Sequence, residues 1–572
     1  MGIAAGANLV NTGLLESTLM LSLEHLVLVD EMVSQLRGAA AAATTGGKAT
    51  LTIRDRKDAT SMFKIKPLVF LPPFLLMAAA VALNFYDADT FTAVMTSAYG
   101  WVIDTFGWLV VLASFGMLLV CVAIACSPFG RVVIGGPDAR PLLTRWQWFT
   151  IALCTYIAIG VLFWGPIEPI YYLSGPAESA GVEPNTPDAA MFSISRIYLH
   201  WTWTPYAIIT VVALMFAFAY YNMGQPFSLG STLSPLLPVR GRRATGQVID
   251  AVCLYTLVTG MAASLGGALL LFSGGVHHLT SVADKASPTM LAVITAAIVG
   301  TFTISAVTGL MRGIRILSNI NTIVMIGLLL LIFILGPMKF VVGFAMEGFG
   351  KFLSHYPQEA LLGVLEQDPW AKKWTMMHFS AWFAWAPISA VFLGRIAYGY
   401  SVRSFMLFNL VLPGIFTGIW MAIFAGTAIH MQLCGDVGLS TILEKEGLEA
   451  SMYTFWEQLP FARVLIPVFL VTSFLSFVTA ADSTTSAMSG LSSTGISPES
   501  PEPSMTIKIT WGVTIGLVAW VMISFAHLDG VRMLSNLGGL PALLLCLVVT
   551  FCLIKVALQP GRYDQFSNRS TE

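Results

Sequence analysis

Three short segments place residues able to hold a small charged molecule inside otherwise apolar stretches. They are Phe163-Trp164-Gly165-Pro166-Ile167-Glu168-Pro169, Trp382-Phe383-Ala384-Trp385-Ala386-Pro387 and Thr479-Ala480-Ala481-Asp482-Ser483-Thr484-Thr485-Ser486. Glu168 and Asp482 are ionisable groups that lipid penalises unless they face protein or water. Prolines interrupt helical hydrogen bonding and leave carbonyls to meet a ligand or an ion. Trp382 and Trp385 are three apart and share one helix face, with His378 one turn before Trp382. A fourth segment, His200-Trp201-Thr202-Trp203-Thr204-Pro205-Tyr206, adds two more indoles. Convergent indole faces suit a quaternary ammonium group, which the ring quadrupole attracts by about 2 kcal/mol once desolvated. Tryptophans near span ends also form interfacial belts, and periodicity alone leaves both readings open. The acids likewise have a plain reading, as scaffold that caps backbone N–H groups or pairs with arginine.

The scaffold for these residues follows from composition. The chain has 572 residues, 56% hydrophobic and only 11% charged, with a mean hydropathy of +0.76. Soluble chains carry roughly 25% charged residues, so a chain of this length lacks the surface to stay dissolved. Soluble enzymes, nucleic-acid binders and disordered proteins are excluded together, and a polytopic membrane protein remains. Thirty basic and 31 acidic residues give a net charge of −1, which offers no field for recruiting nucleic acid. Seven scattered cysteines read as small core hydrophobes without zinc-ligand company. No cofactor motif is present, and the absence of a Walker motif leaves an ion or counter-substrate gradient as the energy source.

Apolar stretches near 67–86, 91–126, 146–173, 194–221, 248–275, 288–310, 314–341, 372–397, 405–433, 463–490, 506–526 and 534–557 predict twelve membrane spans. Runs of this length are helices rather than barrel strands, because lipid supplies no partners for peptide groups. Prolines in spans three and eight, five spans apart, predict broken helices at corresponding positions of two repeats, and the polar run in span ten predicts a third break. Arg131, Arg140, Arg145, Arg240, Arg242, Arg243, Arg312, Arg315, Arg395 and Arg403 fall in one alternate set of loops. Glu178, Glu183, Asp188, Asp436, Glu444 and Glu449 fall in the other. The positive-inside rule then places the basic loops and both termini in the cytoplasm of a plasma-membrane protein. The expected organisation is a cytoplasmic segment 1–65, a transporter domain 66–557 and a short cytoplasmic tail 558–572. Within the first segment, acids at 16, 24, 30 and 31 interrupt an apolar stretch. It reads either as an interfacial helix with a linker or as a start assigned too early, Met62 being a natural beginning.

In several separated motifs the chain resembles the betaine/carnitine/choline transporter family, over about residues 66–557. The matching residues are Trp164, Gly165, Glu168 and Pro169; His200, Trp201 and Pro205; Trp374, Trp382, Trp385, Pro387, Arg395, Ile396, Gly399, Arg403 and Phe405. Thr479, Ala481, Asp482 and Ser483 match a further motif, as do Asp250, Gly309, Gly313, Leu317, Ser318 and Asn319. The resemblance implies an all-α membrane protein of twelve helices with a LeuT-type 5+5 inverted repeat in spans 3–12. It also implies a homotrimer and alternating access around an aromatic site halfway across the membrane. The family's substrate box falls on Ala381, Trp382 and Trp385 in span eight and on Trp201, Tyr206 and Ile209 in span four. Two aromatics of the box are thus Ala381 and Ile209, and His378 stands where the family has tyrosine. Glu168, Asp482, Pro387 and Arg395 take structural or gating roles.

The resemblance places an ion site at Thr479, Ala480 and Ile157. Here the glycine-rich stretch is Tyr156-Ile157-Ala158-Ile159-Gly160, and a sodium-ligating serine is replaced by Ala480. Weak or absent sodium dependence follows, with substrate exchange or proton coupling in its place. The expected function is secondary transport of carnitine, betaine or choline. A sulfonium or sulfonate zwitterion is the alternative, and an integral membrane enzyme the remote one. The sequence lacks the metal cluster or nucleophile elbow that an enzyme would need.

Overall fold

In the computed structural model the described residues are 65–567 apart from 158–159, 239–241, 281–286, 308–309, 363–367, 436, 495 and 497–504. The expected N-terminal segment therefore lies outside them, save for Ile65. Regular structure among the described residues is helical, with only isolated bridges at Ile65–Ser493 and Val133–Ser401. The major helices are α1 Pro67–Tyr86, α2 Ala88–Cys126, α3 Arg145–Ile157, α4 Gly160–Ser174, α5 Pro187–Trp201 and α6 Trp203–Ala217. They continue with α7 Arg242–Thr280, α8 Pro288–Val307, α9 Leu310–Leu335, α10 Met338–Ala360, α11 Met377–Arg395 and α12 Leu412–Cys434. The last are α13 Leu439–Glu446, α14 Leu448–Glu457, α15 Ala462–Ser492, α16 Met505–Leu558 and α17 Pro560–Tyr563.

Ten stretches among the described residues are long and apolar enough to cross a membrane. The bent pair α3–α4 adds an eleventh if taken as one span, and Pro288–Ile304 is a shorter apolar helix. The expected spans eleven and twelve both lie in α16, as Met505–Ser524 and Leu537–Leu558. Along it Trp511 Nε1 donates to Ser492 Oγ at 2.9 Å, Trp520 Nε1 to the Pro288 carbonyl, and Lys555 Nζ to the Pro235 carbonyl.

The breaks fall elsewhere than the prolines predict. Span three does break, but between α3 and α4, which are inclined by 52°; Pro166 and Pro169 ride inside α4. Pro387 also lies inside an uninterrupted helix, α11, and the Thr479–Ser486 run sits within the continuous α15. A membrane-buried proline forfeits one backbone bond, which tightly packed neighbours tolerate. The hydroxyls of span ten turn back on their own helix: Thr479 Oγ1 donates to Leu475 O at 2.8 Å, and Thr485 Oγ1 to Ala481 O at 2.7 Å. Span four, by contrast, breaks at Thr202, whose ψ of −127° separates α5 from α6.

A second departure is α10, which overlaps the expected spans only at its first turn, 338–341, and otherwise lies outside them. Val341, Phe344, Gly348 and Phe352 are buried along it at helical spacing, the one-sided stripe of a helix lying on a surface. Its end is tied to α5, where Ser195 Oγ donates to Glu359 Oε2 at 2.7 Å and Arg196 Nη1 to Glu359 O at 3.0 Å.

At one end of the bundle, Lys66 joins α1 to the end of α15, through Lys66 N to Ser492 O at 2.8 Å and Lys66 Nζ to Leu491 O at 3.0 Å. The tail is ordered against the end of span four: Gln565 N donates to Asn222 O at 3.0 Å and Asn222 Nδ2 to Asp564 Oδ1 at 3.3 Å.

Asp482 in α15 is 0% exposed and is met by Lys508 of α16, 4% exposed, whose Nζ donates to Asp482 Oδ1. Removing one member of a buried pair destabilises by about 3–5 kcal/mol, because the other charge is stranded. Asp482→Asn is therefore expected to lower Tm in detergent well below wild type. Adding Lys508→Gln should recover part of the loss; equal Tm values for single and double variants would count against the pair.

Candidate functional site

The break at Thr202 frees backbone carbonyls of α5 inside the protein. Helix ends leave such groups without intrahelical partners; the Tyr198 carbonyl keeps its bond from Thr202 N at 3.1 Å, while those of His200 and Trp201 meet side chains of other helices. Thr202 Oγ1 donates to Tyr198 O at 2.5 Å, and Thr417 Oγ1 of α12 reaches Trp201 O at 2.6 Å. His378 Nε2 of α11 lies 2.7 Å from His200 O. Tyr206, one turn into α6, donates its hydroxyl to Thr417 Oγ1 at 3.2 Å.

Glu168 on α4 gathers donors from two helices. Oε1 accepts the Tyr172 hydroxyl at 2.5 Å, and Oε2 accepts Trp201 Nε1 at 2.7 Å. His200 Nδ1 lies 3.2 Å from Oε1 and 3.0 Å from the Tyr172 oxygen. Since that hydroxyl hydrogen is already given to Glu168, Nδ1 must carry the ring proton, and Nε2 accepts from Thr375 Oγ1 at 3.1 Å. Three donors converging on two oxygens match an ionised carboxylate.

The aromatic rings assemble beside this acid. Trp382 meets Trp201 with ring centroids 6.4 Å apart at 78°, and Tyr206 at 5.4 Å and 68°. Tyr156 of α3 stands edge-on to Tyr206 at 5.0 Å, and His378 packs on Trp201 at 5.0 Å. Trp201 and Trp382 are 5% and 8% exposed. Gly160 opens α4 against this cluster, and a Cβ there would lie 3.3 Å from the Trp201 ring. The glycine at this position is therefore what lets the indole approach.

The expected box is thus brought together in part. Trp201, Tyr206, His378 and Trp382 form one cluster, with Ala381 half-buried next to Trp382 on α11. Trp385 faces α7, where the Cβ position of Gly260 lies 3.7 Å from its ring, and its buried Nε1 has no hydrogen-bond partner among the described residues. Ile209 is fully buried in α6. Of the ion-site residues, Ile157 ends α3, which packs on α15; Ala158 and Ile159 lie outside the described residues. Thr479 spends its hydroxyl on Leu475, and the Ala480 carbonyl accepts from Ser483 Oγ at 2.9 Å and from Thr484 Oγ1. Arg395 closes α11, its carbonyl accepting from Tyr221 at 2.7 Å, and lies apart from the aromatic cluster.

Sequence reasoning passed over Lys508, Thr417, Thr375 and Tyr172. Lys508 carried a usable signal, since a lysine inside an apolar span demands a partner; the hydroxyls carried none. Glu168, His200 and His378 bring ligand atoms within 4.8 Å of one another. Both Glu168 oxygens and both His200 nitrogens are committed to protein partners, so the group is a hydrogen-bond network rather than a chelate. An apolar cleft of about 470 Å³ between α9, α10 and α12 is a separate feature. Tyr198, Thr202 and Trp203 face that cleft, whereas His200, Trp201 and Tyr206 face the aromatic cluster.

Many long apolar helices, packed around a buried acid and an aromatic cluster, define a multi-pass membrane protein. The profile of the BCCT, betaine/carnitine/choline family transporter, matches residues 68–561. The chain belongs to that family. It is 28% identical over 486 residues to the glycine betaine transporter OpuD of Bacillus subtilis, covering 84% of this chain and 92% of that protein. It is also 28% identical to the betaine/ectoine transporter LcoP of Corynebacterium glutamicum, over 86% of this chain and 78% of that protein. The ectoine/hydroxyectoine transporter of Virgibacillus pantothenticus is 27% identical over 81% of this chain and 91% of its own length.

Glu168→Ala strands three buried donors, and each group left unsatisfied costs about 1–3 kcal/mol. The variant is expected to lose about 3 kcal/mol or more of stability, against about 1–2 kcal/mol for Tyr172→Phe, which removes the bond to Glu168 and the contact with His200 Nδ1. Thermal unfolding in detergent reads both, and equal shifts for the two would remove Glu168 from the centre of the network.

Proposed function

We propose that the protein is a secondary carrier for a quaternary-ammonium or related zwitterionic osmolyte, and that Trp201, Tyr206 and Trp382 hold the cationic head. The observation that carries this is the meeting of those three rings beside a carboxylate deep inside the helices. Ring faces attract a desolvated cation without hydrogen bonds, and the Glu168 charge adds to the attraction. The relatives' names, glycine betaine and ectoine transporters, support the substrate class. The smaller aromatic set, with Ala381 and Ile209 in the box, keeps a sulfonium or sulfonate zwitterion as a second substrate class. Ala381 widens the cage and His378 borders it. Carrier function leaves no catalytic role for these side chains.

In this reading the twelve expected spans carry a LeuT-type 5+5 repeat, the site alternates between the two sides of a plasma membrane, and both termini are cytoplasmic. Three copies assemble. The segment 1–65 and the tail 558–572 flank the transport domain 66–557. Pro387 and Arg395 support the movement of span eight, Asp482 acts as scaffold, and Glu168 is scaffold whose charge also reaches the aromatic cluster. Sodium dependence is weak or absent: Ala480 lacks a hydroxyl, and the Thr479 hydroxyl is engaged within its own helix.

The decisive experiment is a competition panel in proteoliposomes, run with and without a sodium gradient. Betaine and ectoine compounds are expected to displace one another, with equal uptake under both conditions; uptake that requires the gradient would overturn sodium independence. Trp382→Ala is expected to raise Kd about 30-fold, equivalent to about 2 kcal/mol of lost cation–ring attraction. Trp385→Ala should act less strongly, because its ring stands outside the cluster. Unchanged binding by Trp382→Ala would exclude the aromatic assignment.

A further inference from the structure

The break at Thr202 has two sides. Trp201 and Tyr206 face the aromatic cluster, whereas Tyr198, Thr202 and Trp203 form the floor of the apolar cleft between α9, α10 and α12. Two glycines of α12 bring that helix against the floor. A Cβ at Gly418 would lie 3.3 Å from Thr202 Cγ2, and one at Gly414 would lie 2.6 Å from the Trp203 ring. Phe349 of α10 closes one wall, its ring 6.1 Å from that of Trp203. Both hydroxyls in the lining are spent inside the protein, Tyr198 on the Ala345 carbonyl at 3.1 Å and Thr202 on the Tyr198 carbonyl. An apolar wall of this kind stays dry and accepts apolar groups.

The place of the cleft in the bundle names the group. α9 and α12 both lie within stretches long and apolar enough to cross a membrane, and α10 covers them with the one-sided stripe of a surface helix. The rim residues Leu330, Met346, Ile415 and Ile419 are exposed, so the cleft is continuous with the outer, lipid-facing surface of α9 and α12. Its volume of about 470 Å³ is that of a small-molecule site, open to a medium of hydrocarbon chains. A chain that moves from bilayer to cleft gains little from escaping water. It gains dispersion contacts with wall atoms that otherwise lack neighbours.

We propose that this cleft binds one acyl chain of a membrane phospholipid, which packs on Thr202 and Trp203 and braces the helix break from the side opposite the aromatic cluster. Thr202 carries the backbone departure between α5 and α6, with a ψ of −127°, so a chain packed against it resists rotation of α6 on α5. The seat itself stands apart from the carrier reading above. Its effect on substrate rests on that reading, because Trp201 and Tyr206 stand on the other side of the same break.

Fluorescence of the full-length protein in vesicles tests the seat. Phosphatidylcholine brominated at mid-chain quenches indoles that touch the chain, and the Trp203 share is the difference between wild type and Trp203→Phe. That share is expected to fall strongly in brominated vesicles relative to unbrominated ones. It should be protected in Ala422→Phe and in Ala345→Leu, which fill the cleft from α12 and from α10. An unquenched Trp203 share in wild type would overturn the proposal, as would quenching that both filled variants leave unchanged. An unquenched share together with cross-linking of two copies through Met346→Cys would give the cleft to a second protomer instead. For the brace, phosphatidylcholine titrated into detergent is expected to raise Tm more in wild type than in either filled variant; equal rises in all three would remove it. The same titration should shift the Kd for radiolabelled glycine betaine in wild type and not in the filled variants, and an unchanged wild-type Kd would confine the brace to stability. A quenched Trp203 without betaine binding under any condition would sink the carrier reading and leave the seat standing.

Discussion

The peptide groups released at Thr202 organise the centre of this protein. In a water-poor interior a carbonyl without a donor is expensive, so a helix can be broken there only where neighbours supply hydrogen bonds. The carbonyls of His200 and Trp201 receive theirs from His378 on α11 and Thr417 on α12. Those bonds fix how α11 and α12 sit against the α5–α6 junction. Trp382 follows, because it is one turn beyond His378 on the same helix face. The aromatic cluster is thus a by-product of satisfying a broken helix, and its rings stand where the backbone bonds hold them.

The two buried acids solve the same desolvation problem in different ways. Asp482 is answered by a full opposite charge, Lys508, which ties α15 to α16. Glu168 is answered mainly by the neutral donors Tyr172, His200 and Trp201, which stabilise a carboxylate while leaving its charge uncancelled. An ion pair has little field left for a ligand, whereas a carboxylate held by dipoles still attracts a cation. That difference separates a structural acid from one that shapes a site, although both look alike as isolated acids in apolar sequence.

Much of the scaffold was legible because lipid imposes a simple rule on composition. Each apolar run of adequate length is helical, and the departures lie where the rule is silent. Amphipathic α10 carries Lys339, Glu347 and Lys351 among its apolar residues, so a hydropathy window passes over it. Proline is an uneven guide to breaks: Pro387 sits in a continuous α11, while the helix breaks just before Pro205, which has no N–H for the Trp201 carbonyl and leaves it to the Thr417 hydroxyl. The site residues were legible as types and only partly as a constellation. Trp382 and Trp385 share a face by spacing, yet 60° of helical rotation sends Trp385 toward α7 and Gly260. Lys508 was visible as an intramembrane cation, but pairing across two helices cannot be read from separation along the chain.

The loss of aromatics at Ala381 and Ile209 changes what the remaining cluster must do. A cage closed on all sides by rings binds a cation through many weak ring contacts and needs no nearby charge. The cluster of Trp201, Tyr206 and Trp382 has fewer rings, and Glu168 and His378 lie against its Trp201. Electrostatic attraction in a low-dielectric pocket is longer-ranged than ring contact, so it can substitute for a missing wall. It also responds to any other charge in the pocket, which a wall of rings would do far less. In the carrier reading, exchanging an aromatic wall for a carboxylate shifts the attraction for a cation from ring contact to charge. Two of the residues in which this chain departs from the family's pattern, His378 and Ala381, stand one turn apart on α11, beside the rings that remain.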